Sequence, residues 1–416
     1  MTPGALTLAS TRAEIPIVGL MNLRVCAGTL VAAAALALTS AASVVISPSD
    51  ATLDLGGTQQ FSAQLFRNGA QARALFTWSS SNPQVATVSP AGLVTAVAAG
   101  AATITAIESS KQRGTAHVTV RRPLPRLVAK IAMGGAPFGS AVTKDGMGWI
   151  GQSRGSGVAR LDIAGARLAG LAITDPMGSQ PVELYPNVAG TRLYAVHFGG
   201  VIASINTATL AIVDSARIGG DGYGIIATPA GDTVFAGATN GAIYKIALAQ
   251  GEILGVLSLT EAVGYHFVWS QDRTRLYASA RGSDGGHVYE IDPHGFHLLR
   301  TFETGDSPQA ITLSADGTKL LIAAEAGDVT VWDIATNSRA ATFMTGCQGY
   351  GIVREPRNSR LYVSCVLQGA VVVLDAESGA ILTRFKVGGR PRELSFDPTT
   401  GSVLVPNEGG WVDIIR

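Results

Sequence analysis

Charge is scarce in this chain. Only 15% of its 416 residues are Asp, Glu, Lys or Arg, where an ordinary soluble domain carries about a quarter. The net charge is +1, and no basic stripe runs along any segment. The electrostatic footprint of a nucleic-acid binder is therefore missing, and no nucleic-acid partner is expected. Long apolar runs are missing too, apart from Val25 to Leu38, which is too short to span a bilayer comfortably. No transmembrane span is expected in the mature chain. Neither an H-E-x-x-H zinc helix nor a Gly-rich phosphate loop occurs, so no metal, no cofactor and no catalytic residue is assigned. Cysteine is limited to Cys26, Cys347 and Cys365.

What is abundant is glycine, 50 residues or about 12% against a usual 7%, and apolar residues, 47%. Both suit a fold built from many short strands and tight turns.

The N-terminus reads as a leader with an export signal over residues 1–43. Met21 to Arg24 form a short basic region, Val25 to Leu38 the apolar stretch, and Thr39 to Ser43 a small-residue cleavage site. Cys26 precedes the apolar stretch, which is the wrong place for a lipoprotein cysteine. Export predicts a periplasmic, cell-surface or secreted protein. In an oxidising compartment, Cys347 and Cys365 become candidates for a disulfide.

Residues 44–121 form a self-contained β pattern. Thr58 to Phe66 alternates polar and apolar positions, and turn residues recur every 8–12 positions, as in a sandwich. The run Trp78-Ser-Ser-Ser-Asn-Pro-Gln-Val-Ala-Thr-Val88, then Gly92 to Ala98 and Ala102 to Ala106, resembles the bacterial immunoglobulin-like domain, group 2. The resemblance implies Trp78 as a core anchor, turns at Gly92 and Gly100, and a spacer or adhesion role at the cell envelope. His117, alone in the closing strand, reads as structural. Residues 122–126, with Pro123 and Pro125, form a stiff linker.

From residue 127 to 416 the chain repeats itself. Ser307 to Ile334 shows the unit most clearly, with three short strands separated by Asp316-Gly317 and Gly327-Asp328 turns. Aligned on the residues before each first strand, the copies begin at Pro137, Pro181, Gly222, Gly264, Pro308, Gly349 and Pro391, at spacings of 44, 41, 42, 44, 41 and 42. Seven units of several strands at a period in the low forties predict a seven-bladed β-propeller. The last unit lacks a fourth strand, and Leu127 to Ala132 is a strand without a partner. Their pairing would close the ring and remove an open edge. The fold class expected is all-β: an Ig-like sandwich followed by a closed propeller.

Arg192 to His197, Arg275 to Ala280, Ser314 to Ile322, Arg360 to Cys365 and Leu374 to Gly379 make the repeats resemble the YVTN-type propeller. Trp332-Asp333 resembles the WD dipeptide, but no Gly-His pair opens the units, so a WD repeat ranks second. The resemblance implies architecture and no uniform chemistry.

Propeller geometry gathers variable positions on one face. The candidate ligand-binding residues are Glu183, His197, Tyr223, Tyr265, His266, Arg281, Gln309, Glu325, Tyr350, Arg392 and Glu408. Tyrosines, carboxylates and arginines in one funnel suit a small molecule, a glycan or a peptide. The competing expectation is that the aromatics only plug the channel. The leading function is a binding or scaffold module of the cell envelope. The alternatives are a lactonase-like hydrolase using His197 or His266 with Glu183, and a structural surface-layer component. Asp284, His287, Asp292, His294 and His297 cluster in one unit, but on a hairpin whose reading is a solvated loop.

Overall fold

The computed structural model describes residues 42–155, 157–173, 180–259, 262–281, 286–305 and 307–416. The predicted export signal, apart from its last two residues, lies outside them, as does Asp284. Of Tyr265 only the backbone is described. The chain divides into two compact units between Arg121 and Arg122. Among the described residues no helix is long and apolar enough to cross a membrane.

The first unit is a β-sandwich whose first strand, Ala42–Ser47, starts two residues before the expected boundary. That strand pairs with Ser62–Arg67, which pairs with Ala70–Ala72. A second sheet runs Asp50–Asp54, Arg113–Arg121, Gly100–Glu108, Phe76–Ser80, and a small third sheet joins Thr58–Gln60, Leu93–Ala96 and Ala86–Val88. Arg113–Arg121 alternates strictly, sending Gly114, Ala116, Val118 and Val120 inward and His117 outward. Phe61, Leu65 and Ile104 fill the core, with Trp78 packed against it. Gly92 is required where it stands: its φ is +81°, and a Cβ there would lie 2.5 Å from the Phe61 carbonyl and 3.0 Å from the Trp78 ring.

The second unit is a seven-bladed propeller. Each blade is a four-stranded antiparallel sheet with its strands in chain order, except the last. Blade 1 spans Pro137 to Ile173, blade 2 Pro181 to Arg217, blade 3 Gly222 to Ser258 and blade 4 Ala262 to Phe302. Blade 5 spans Pro308 to Phe343 and blade 6 Gly349 to Lys386. Blade 7 takes Ser395–Asp397, Ser402–Asn407 and Trp411–Ile415 from the end of the chain and Leu127–Ala132 as its outer strand.

This closure is fastened by more than main chain. Lys130 Nζ lies 2.9 Å from Asp413, which is fully buried, and 4.0 Å from the Trp411 ring centroid. It also donates to the Val387 carbonyl at 3.0 Å. Arg126 and Arg416 exchange main-chain hydrogen bonds of 2.6 and 2.8 Å.

Burial explains why charge is scarce. The middle strands of a blade are covered on both faces by neighbouring blades, so that every residue of Arg360–Cys365 and Ser402–Asn407 is buried. Only the outer strands meet solvent, as in Ser338–Phe343. Charge is then concentrated at turns, where carboxylates cap main-chain amides. Asp316 accepts from Ser314 Oγ at 2.6 Å and from the Thr318 amide at 3.1 Å, with Gly317 at φ +70°. Asp272 repeats this with Ser270 and Thr274 one blade earlier.

Candidate ligand-binding face

One device places the candidate residues. In six blades the first strand opens by pairing its first residues with the end of the second strand, then shifts register at once. In blade 1, Pro137 pairs with Gln152 but Ser140 with Ile150, so Phe138 and Gly139 stand opposite the single residue Gly151. The same two-against-one arrangement puts Tyr223 and Gly224, Gln309 and Ala310, and Tyr350 and Gly351 in bulges. Blade 2 shifts by one residue around Val182, and blade 4 by a longer step that includes Tyr265 and His266. Blade 7 reduces the contact to a lone bridge, Pro391 to Asn407. A bulge leaves residues unpaired and turns their side chains out of the pleat. Here it turns them toward the middle of the ring.

The result is a stoppered channel. Phe138, Phe198, Tyr223 and Tyr350 meet edge to face, with centroids 5.7 to 6.4 Å apart. The hydroxyls of Tyr223 and Tyr350 share a 2.5 Å hydrogen bond. Phe138 and Tyr350 are buried, while Phe198 and Tyr223 remain partly exposed. The guanidinium of Arg392 lies 4.8 Å from the Phe138 ring centroid and 4.5 Å from that of Tyr350.

Two polar clusters flank this floor. Arg392 pairs with Glu408 at 2.8 Å, and Arg390 adds a second contact at 3.4 Å. Gln309 donates to Glu325 at 2.8 Å, and Arg281 approaches the same carboxylate at 3.5 Å. Five candidate residues thus fall into two pairings, Arg281 and Gln309 with Glu325, and Arg392 with Glu408. Two participants escape sequence reasoning. Phe198 occupies the repeat position of Arg281, Glu325 and Glu408 but was passed over there because it carries no polar group, and Arg390 precedes the aligned Pro391, one residue outside the positions compared.

Deeper groups are neutral. Glu183 and Glu393 are both buried. Burial pushes the Glu393 carboxyl up to about 8, with Arg392 opposing; burial and the Glu393 charge push Glu183 well above the usual carboxylate range. Gly139 lets the first strands of blades 1 and 2 approach closely beside Glu183: a Cβ there would sit 2.1 Å from the Val182 carbonyl oxygen and 2.9 Å from the Glu183 Cα. His266 is held down to about 4 by burial, against a hydrogen bond to the Ile311 main chain. Its own amide donates to Ser279 Oγ, which donates to the Gln309 carbonyl at 2.6 Å. His197 is fully buried. Among the described residues no group of three or more His, Cys, Asp or Glu is placed to hold a metal ion. His297 stands 3.9 Å from Asp292 on its hairpin and is largely exposed.

Residues 151–155, Gly-Gln-Ser-Arg-Gly, have the G-x-S-x-G spacing of a serine nucleophile elbow, which needs a strand turning into a helix. They connect two strands instead, and Ser153 Oγ donates to the Ala136 carbonyl at 3.1 Å. The spacing carries no elbow.

Cys347 and Cys365 are bonded, with Cα atoms 5.5 Å apart. Cys365 pairs across the sheet with Gly349, so the bond anchors the start of the strand that carries Tyr350.

The fold and face define an all-β chain with an Ig-like sandwich and a seven-bladed propeller. Residues 40–120 match the bacterial Ig-like domain (group 2). Among solved structures, hydrazine synthase of Kuenenia stuttgartiensis is similar at 17% identity, covering 68% of this chain and 95% of that one, with a TM-score of 0.62. At that identity the likeness speaks for the fold alone. No curated protein matches the chain.

Proposed function

We propose that this chain is an exported binding protein of the cell envelope or its surroundings. Its YVTN-type propeller presents the stoppered face to a small molecule, glycan or peptide, and its Ig-like domain serves as spacer or envelope attachment. One observation carries this reading. The channel ends in an aromatic floor, with Phe198 and Tyr223 partly open to solvent, between two charged clusters. A ring with polar groups at its margin is a stacking surface with orienting hydrogen bonds, the composition of a site for an amphipathic ligand.

Binding is favoured over hydrolysis. An acid–base catalyst near neutral pH needs a titrating group in reach of its substrate. Glu393, the carboxyl pushed up to about 8, and His197 are both buried, and His266 is held neutral well below that range. The groups at the surface are tyrosine, guanidinium and carboxylate.

The test is a glycan and peptide array probed with the full chain, followed by calorimetry on any hit. A ligand of this face loses affinity in Tyr223→Ala and in Glu408→Gln, by about tenfold or more for the tyrosine. Hits whose affinity is unchanged in both variants would place binding elsewhere and defeat the reading.

A further inference from the structure

On the opposite face of the propeller, at the seam between blades 6 and 7, lies a groove of about 360 Å³. Its walls come from the turn between the first two strands of blade 6, the corresponding turn of blade 7, and the segment leading into the closing strand. Four of its lining residues are arginines, Arg126, Arg357, Arg360 and Arg416, against one acidic side chain, Glu355. In a chain with so little charge, this is a marked concentration of one sign.

The charges are not equivalent. Arg360 is buried and already committed: it lies 3.6 Å from Glu355 and donates to the Pro123 carbonyl. Asn358 Nδ2 donates to the other Glu355 oxygen at 2.5 Å. Glu355 is thus balanced within the wall. Arg126, Arg357 and Arg416 are exposed, and none of them forms an ion pair with another described residue. Arg416 is held in place by its Nε–H bond to Ser402 Oγ at 2.9 Å, and the main chains of Arg126 and Arg416 are locked together by their paired hydrogen bonds. Two of the lining arginines therefore spring from a rigid ladder, and a third, Arg357, lines the same groove from a turn.

We infer that this groove is a second binding site, for a small soluble oxyanion of the phosphate or sulfate class. Guanidinium forks match the oxygen spacing of such ions and bind them with two parallel hydrogen bonds each. The volume suits a small molecule. The Arg360–Glu355 pair sets the wall, and the three uncommitted arginines supply the net positive charge.

Sodium pyrophosphate is the probe, titrated calorimetrically into the full chain against sodium chloride of equal ionic strength. Saturable binding is expected, weakened about tenfold or more in Arg357→Ala and in Arg126→Ala. Both side chains are exposed, so each variant keeps its fold, which a circular-dichroism melt checks. Arg217→Ala removes the same charge from the outer strand of blade 2 and leaves pyrophosphate affinity unchanged. Heat no greater than that of sodium chloride, or equal weakening in all three variants, would overturn the assignment.

Discussion

The Glu183–Glu393 pair is the residue-scale feature with the sharpest consequence. Both carboxyl groups are buried and feel each other's charge, and each is easier to keep protonated than in water. Between the ordinary value of 4.5 and about 8, the folded chain holds a proton on Glu393 that the unfolded chain releases. Where the native state binds more protons, stability falls as pH rises. Stability from this pair is therefore greatest below about pH 4.5 and declines across the window up to about 8. Glu393→Gln keeps the shape and removes the titration. Glu183 and His266 titrate in both proteins, so the difference between the two urea curves is the readout: the variant should gain on the parent progressively across that window, by on the order of a few kcal/mol at the alkaline end. A difference that stays constant between those limits would show that the carboxyl is not held protonated. Glu183 was visible in the sequence as a neighbour of the aligned ring. Its coupling to a residue 210 positions away was not, because it depends on ring closure bringing blades 2 and 7 to the same central channel.

At the scale of the element, the blade itself was readable. Its turns announce themselves through Asp-Gly chemistry, and its strands through spacing, since both are local and repeated. The bulge at the head of the first strand in six blades was not readable. It is a mismatch of two residues against one across a strand pair, and neither strand alone reveals it. Aligning the units on that segment still located the residues it turns inward. It could not separate Tyr223, partly exposed, from Tyr350, packed beneath Arg392. The Cys347–Cys365 bond closes a loop across a sequence separation of 18. Its reduction should cost about 2–4 kcal/mol. Denaturation of the Cys347→Ser, Cys365→Ser double variant, compared with parent protein in reductant, measures this. Both cysteines are buried, so the two preparations should lose similar stability. An unchanged midpoint in both would mean that the hairpin holds itself without the bond.

For the whole molecule, ring closure is the feature on which the rest depends. Lys130 bridges the closing strand to Asp413, whose carboxylate is fully buried. Lys130 is itself half exposed and Trp411 Nε1 still donates to the carboxylate at 2.8 Å, so losing the lysine costs about 1–3 kcal/mol, the range for a hydrogen bond to a buried charged group. Lys130→Met should therefore lower the unfolding midpoint, while Lys130→Met with Asp413→Asn should recover part of the loss. No recovery in the double variant would assign the effect to packing on Trp411 rather than to charge.

That closure also fixes a timetable. Leu127–Ala132 is among the first propeller residues to be synthesised, and its partner Trp411–Ile415 among the last. At a usual pace of about 5–20 residues per second, the first strand waits roughly a quarter of a minute to a minute for its mate. Throughout that interval blades can assemble in succession, but the ring stays an open arc with two unpaired edges. Whatever handles the nascent chain must shield the early strand until the final turn of sequence arrives.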